Sequence, residues 1–254
     1  MHNKSEWDSK HFDKNYYEKS EKTPYGGFLV EYTWENFQQH AGWKVRFLKH
    51  HFQRFGFRSI LFGGCAKGFE VKAAIHAGYD AFGIDISEYA LSKVDPEVRN
   101  RCFLGSMVDM KDFKENEFDI FASFDVWHTV HPDDRDKMAC EISRVAKKGI
   151  CIRTGFLLTP SIDKKYHLTG KEGEVELDYA ESLDPAFNNI YDGNPAYQDS
   201  IGLFIKRFEK IGKFRLFYAP VVWDRDFFIW YCLCRADMNL DSIIKTYGGT
   251  GDGL

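Results

Sequence analysis

The sequence has no cluster of basic residues, no long apolar run, and no cysteine or histidine spacing that would hold a metal. Its 34 Lys and Arg residues are dispersed among 38 Asp and Glu residues, giving a net charge of −4 and an isoelectric point near 6.1. Binding to a nucleic-acid backbone relies on clustered Lys and Arg, so no nucleic-acid partner is expected. The longest dense apolar stretch, Phe227 to Cys234, falls well short of the ~20 residues that a membrane-spanning helix needs. The first ten residues, MHNKSEWDSK, are polar and contain no apolar signal region. These absences predict a cytoplasmic protein without a membrane partner. The six cysteines are scattered. Cys232 and Cys234 share one face of a strand, but their spacing suits neither zinc nor a disulfide. Reduced, buried thiols and no metal are the expectation. No internal repeat is visible, and 254 residues suit a single α/β domain with decorations and a proper core.

What is present is concentrated between Arg58 and Asp85, RSILFGGCAKGFEVKAAIHAGYDAFGID. The apolar run Ile60-Leu61-Phe62 ends in Gly63-Gly64-Cys65-Ala66-Lys67-Gly68. Phe69, Val71, Ala74, Ile75 and Ala77 then recur at helical spacing until Gly78. A second apolar run, Ala81 to Ile84, ends in Asp85. Strand, glycine turn, helix, strand and acid in this order make the first βαβ unit of a nucleotide-binding sheet. Asp85 lies 21 residues after Gly64, where a carboxylate at the tip of the second strand accepts both hydroxyls of a ribose. A ligand containing adenosine is predicted. A nicotinamide or flavin site would need G-x-G-x-x-G, and neither Gly63 nor Gly64 starts that pattern.

The spacing Gly64-x-Ala66-x-Gly68 resembles the first motif of the class I S-adenosylmethionine (SAM) dependent methyltransferases of small-molecule type. The similarity continues through GIDISEYAL at Gly83 to Leu91 and LGSMVDM at Leu104 to Met110. It ends with FDIFASFDVWHTV at Phe118 to Val130. Four elements in the right order carry the resemblance, which is good over residues 40–155 and looser elsewhere. It implies an α/β fold, a Rossmann-like seven-stranded sheet with helices on both faces. The first strand would be central and the last antiparallel, with SAM as the cofactor.

Hydrophobic periodicity divides the chain. Trp34, Phe37, Ala41, Val45, Leu48, Phe52 and Phe55 recur every three or four residues and predict helix, so residues 1–55 read as an N-terminal helical cap. Residues 56–155 read as the SAM-binding core. Its strands are expected near Ser59–Gly63, Ala81–Asp85, Arg101–Leu104, Phe118–Phe124 and Gly149–Thr154, with a helix over Asp133–Ala146. Residues 156–212 read as a lid or substrate-binding insertion, because 156–200 is too long and irregular for a plain connection. Ile201–Ile211 is expected to be helical. Residues 213–236 read as the final strand pair and 237–254 as a Gly-rich tail.

The resemblance assigns roles residue by residue. Gly64, Cys65, Ala66 and Gly68 would let the backbone approach the cofactor, Asp85 and Ile86 would hold the ribose, and Asp109 and Met110 would recognise adenine. Phe124 and Asp125 follow the fourth strand, whose end should face the sulfonium. Tyr17, beside Tyr16, would belong to an N-terminal element closing over the methionine end. His128 is the expected general base. Lys67 reads as an exposed turn residue, and Trp127 as either a wall of the site or a core aromatic. One departure stands out: the first motif normally carries an acid two residues before its first glycine, and Phe62 occupies that position. The expected reaction is methyl transfer to a small-molecule acceptor. Attack on the aminobutyrate carbon of SAM, which releases methylthioadenosine, is the alternative, since an uncharged neighbour frees the cofactor amine. A non-catalytic SAM-binding protein is the third reading.

Overall fold

A computed structural model describes residues 12–18, 31–155, 201–218, 221–222 and 228–238. The expected lid over 156–200, the tail and the loop containing Pro220 lie outside the described residues.

The first described helix, α1 (Lys14–Glu18), precedes α2 (Trp34–Phe52). The central sheet is built from β1 (Ser59–Gly63), β2 (Asp80–Asp85), β3 (Cys102–Leu104), β4 (Phe118–Phe124) and β5 (Ala146–Gly155), then β6 (Phe214–Tyr218), the two-residue β7 (Val221–Val222) and β8 (Phe228–Arg235). Between the strands lie α3 (Phe69–His76), α4 (Glu88–Ser92), α5 (Arg135–Val145) and α6 (Ile201–Ile211). The strand order is β3-β2-β1-β4-β5-β8-β6, with β7 paired to β8 off this path. Strands β1 to β5 run parallel, whereas β8 is antiparallel to both β5 and β6. The expected seven-stranded sheet is therefore present, with β7 as a small addition.

The position of β1 in mid-sheet explains its sequence. A central parallel strand covered on both faces needs apolar residues at every position rather than alternate ones. Ile60 and Phe62 face the layer of α2 and α3, joined there by Phe52, Ala122, Phe124, Cys151, Trp230 and Cys232. Leu61 faces the opposite layer, with Phe121, Met138, Ile150, Phe204, Phe208 and Leu233. Helix α6 belongs to this second core, since Phe204, Ile205 and Phe208 are fully buried. Its amphipathic face closes that core. Trp127 is also core, 2% exposed and edge-on to Phe204 at 4.6 Å. Cys232 and Cys234 share the first face as expected, and all six thiols are free. The helix expected from Asp133 is shorter by its first turn, which is 3-10 over Pro132–Asp134. Among the described residues, no helix is long and apolar enough to cross a membrane.

Candidate cofactor and substrate site

The C-terminal ends of β1, β2 and β4 open into a cavity of about 280 Å³. Open parallel sheets place ligands at these strand ends. The turn after β1 is drawn under β2: the N–H groups of Gly64 and Cys65 both donate to the Ile84 carbonyl, at 2.8 and 3.1 Å. Gly64 has φ +70°, and a Cβ there would lie 2.3 Å from Val126 Cγ2. Both conditions require glycine. Ala66 occupies the same left-handed region at φ +47°, an unusual conformation for a residue with a Cβ. Gly64 and Ala66 line the cavity. Cys65 is buried beneath the turn, and Gly68 serves as the left-handed N-cap of α3; neither lines the cavity.

Asp85 caps the end of β2 and is 8% exposed. Its Oδ2 accepts the Ala66 N–H at 2.7 Å and its Oδ1 accepts the Ser87 N–H at 2.8 Å. Burial raises the Asp85 pKa above its ordinary value, against the opposing pull of the Ser87, Ala66 and Ile86 N–H groups. The carboxylate therefore fixes the glycine turn to the start of α4 and still borders the cavity, as does Ile86. Ser87, rather than Asp85, caps α4, its Oγ accepting the Ala90 N–H at 3.0 Å.

The end of β4 is strained. Asp125 lies at φ +63°, a conformation that Asp tolerates better than most residues. It borders the cavity together with Phe124 and Val126. Its Oδ2 pairs with Arg153, and its Oδ1 is buried with no hydrogen-bond partner among the described residues. His128, the expected base, does not line the cavity. Its Nδ1 sits 3.4 Å from Thr154 Oγ1, and burial pushes its pKa down to about 4. The turn after β4 is 3-10 over Trp127–Thr129. His131 lies at the start of the helix region, its Nδ1 accepting the Asp133 N–H at 3.2 Å.

The β3 side also differs from expectation. Gly105, Ser106, Met107 and Val108 line the cavity, whereas Asp109 and Met110 do not. Asp109 is exposed, its N–H donating to the Ser106 carbonyl at 3.0 Å. The Met110 N–H, expected to face adenine, is donated to Glu141 at 2.8 Å, and Arg144 donates to the Met110 carbonyl at 2.8 Å. The tight turn over Ser106–Asp109 is the reason: it presents the residues before Asp109 to the cavity.

Aromatic residues of the cap close the other side. Tyr16, Tyr17 and Tyr32 line the cavity, and Tyr17 stacks on both Tyr32 and Tyr89, at 6.0 and 6.1 Å. Burial first, then the charges of Asp85 and Asp125, raise the Tyr16 pKa to about 12, and all three residues border the cavity. Lys67 is not the exposed turn residue expected: it donates to the Tyr32 carbonyl at 2.9 Å and ties the cap to the glycine turn. Sequence reasoning also missed Lys44 and Glu70, which form a 2.6 Å ion pair in the cavity wall. Burial works to raise the Glu70 pKa, and Lys44 outweighs it to leave the carboxyl below its ordinary value. Only the packing of α2 on α3 brings the two together, so no local motif signals them.

Residues 61–152 match the family model described as a methyltransferase domain. Over these residues the chain carries a methyltransferase domain, and its sheet has the class I fold. Solved structures agree on the fold. The magnesium protoporphyrin IX methyltransferase of Synechocystis PCC 6803, crystallised with S-adenosylhomocysteine, is 15% identical with a TM-score of 0.55, covering 80% of this chain and 84% of that one. The 1,6-didemethyltoxoflavin-N1-methyltransferase of Burkholderia thailandensis is 13% identical with a TM-score of 0.53, over 79% of this chain and 78% of that one. No curated protein matches the sequence. SAM is the cofactor of the methyltransferase domain, and the protein is a SAM-dependent transferase. The residues present fit that cofactor. The β1 turn leaves open the space that a Gly64 Cβ would need, an acid stands at the tip of β2 for a diol, and the ion pair offers both charges to an amino acid.

Proposed function

We propose that this protein transfers the methyl group of SAM to an O, N or C atom of a small, partly apolar molecule. The observation that carries this reading is the cavity shared by Gly64, Ala66, Asp85 and Asp125 with Tyr16, Tyr17 and Tyr32. Asp85 accepts the ribose hydroxyls through the lone pairs left by its two backbone bonds. The Ser106–Val108 backbone takes the adenine edge, the part expected of Asp109 and Met110. Bound SAM supplies an electrophilic methyl on a sulfonium, so the protein gains most by holding the acceptor in line with it. Aromatic walls with few polar groups suit a modest, partly apolar acceptor. Asp125, which borders the cavity, takes the acceptor's proton where one must leave; His128, buried beside Thr154, stays a neutral imidazole. The six free thiols support a reducing, cytoplasmic setting.

Mass spectrometry of SAM incubated with the protein, alone and with candidate acceptors, tests the reaction. S-adenosylhomocysteine formed only with an acceptor is the expected result. Methylthioadenosine formed above background without an acceptor overturns methyl transfer in favour of attack on the aminobutyrate carbon. Binding of SAM with neither product under any condition reduces the protein to a SAM-binding role.

A further inference from the structure

Two opposite charges are buried in the cavity wall where α2 packs on α3. Lys44, on α2, and Glu70, in the first turn of α3, have side chains only 7% and 12% exposed, and Lys44 Nζ lies 2.6 Å from Glu70 Oε1. Taking such a pair out of water costs about as much as its attraction returns, and an apolar pair of similar volume would serve the fold as well. Both side chains nonetheless border the cavity, and Lys44 Nζ also lies 5.0 Å above the ring of Phe124 at the end of β4. Glu70 lies two residues beyond Gly68 at the end of the glycine turn, and it lines the same cavity as Gly64 and Ala66.

The residue expected to contribute an acid here does not. Phe62 is 2% exposed and packs beneath the cavity among core aromatics, 6.2 Å from Phe124. Resting on the reading that SAM binds here, we propose that Lys44 and Glu70 together hold the amino-acid end of the cofactor: Glu70 accepts from the ammonium and Lys44 donates to the carboxylate. The pair is closed on itself in this structure, so each charge stays satisfied until a zwitterion takes its partner's place. An ammonium bonded to Glu70 stays protonated and has no lone pair with which to attack its own chain. The assignment therefore also favours transfer of the methyl over cyclisation.

Isothermal titration of the full chain with SAM and with 5′-methylthioadenosine, which lacks the amino-acid end, isolates the pair. The variants are Glu70→Gln, Lys44→Met and the double variant Lys44→Met/Glu70→Met, whose apolar pair removes both charges without leaving either one unpartnered. Each single variant should weaken SAM by roughly tenfold to a hundredfold, the worth of a charged hydrogen bond, and leave methylthioadenosine unchanged. The double variant should lose the preference for SAM while keeping its melting temperature within a few degrees. SAM affinity unchanged in the variants, or both ligands weakened alike, overturns the assignment while the cofactor reading stands. Failure of the wild type to bind SAM overturns both.

Discussion

Replacing Gly64 by alanine tests how closely the glycine turn is fitted to the end of β4. Two penalties add. Holding a residue with a Cβ at φ +70° costs about 1–2 kcal/mol. The new methyl also falls 2.3 Å from Val126 Cγ2 and 3.1 Å from Cγ1, and overpacking of this kind costs about 1–3 kcal/mol. Gly64→Ala should therefore lose roughly 2–5 kcal/mol in urea unfolding, with the m-value unchanged. Val126 is half-buried, and truncating it alone should cost about 1 kcal/mol for the apolar surface lost. In the Gly64→Ala background the same truncation removes both clashing methyls, so it should raise stability instead of lowering it. Such a change of sign marks direct coupling. If Val126→Ala destabilises the alanine variant as much as the wild type, the two residues do not oppose each other and the geometry argued for this turn is wrong.

Ala66→Gly should stabilise the protein by about 0.5–1 kcal/mol, the relief of φ +47° less the entropy of a more flexible unfolded chain; a loss of stability on urea unfolding refutes it. Asp119 accepts the Arg58 N–H at 2.8 Å and pairs with Lys148 at 3.0 Å, and these outweigh burial to hold its pKa below the ordinary value. Its contribution is therefore complete above about pH 4, the unfolded carboxylate value, and is lost as pH falls through the depressed folded value. Asp119→Asn should be clearly destabilising at pH 7 and progressively less so toward pH 3; a penalty independent of pH excludes the charge as its source. His128, with a pKa near 4, should remain neutral in NMR titrations down to pH 5, and a midpoint between 6 and 7 contradicts the burial described.

The sheet was legible because its central strands are short apolar runs closed by glycine or acid. β1 and β4 begin and end where Ser59, Gly63, Phe118 and Phe124 predict. β5 starts earlier than expected, at Ala146, since Lys147 and Lys148 carry no apolar signal although Lys148 is tied to Asp119. That Gly64, Ala66, Asp85 and Asp125 border the cavity was legible because strand ends fix their direction. His128, Asp109 and Met110 were not, because a 3-10 turn and a reversal at Ser106–Asp109 decide which way those residues point. Lys44, Glu70 and Lys67 gave no signal at all: their roles arise where the cap meets the core, and a charged residue on an amphipathic helix ordinarily reads as solvated.

The central claim is that SAM lies across the ends of β1 and β2 against Asp85. Calorimetric titration of the wild type and of Asp85→Ala with SAM measures it directly. The account predicts one site per chain in the wild type and an affinity lower by roughly tenfold to a hundredfold in the variant, for the loss of charged hydrogen bonds to the ribose. Equal affinity in a variant that is shown to be folded would contradict it.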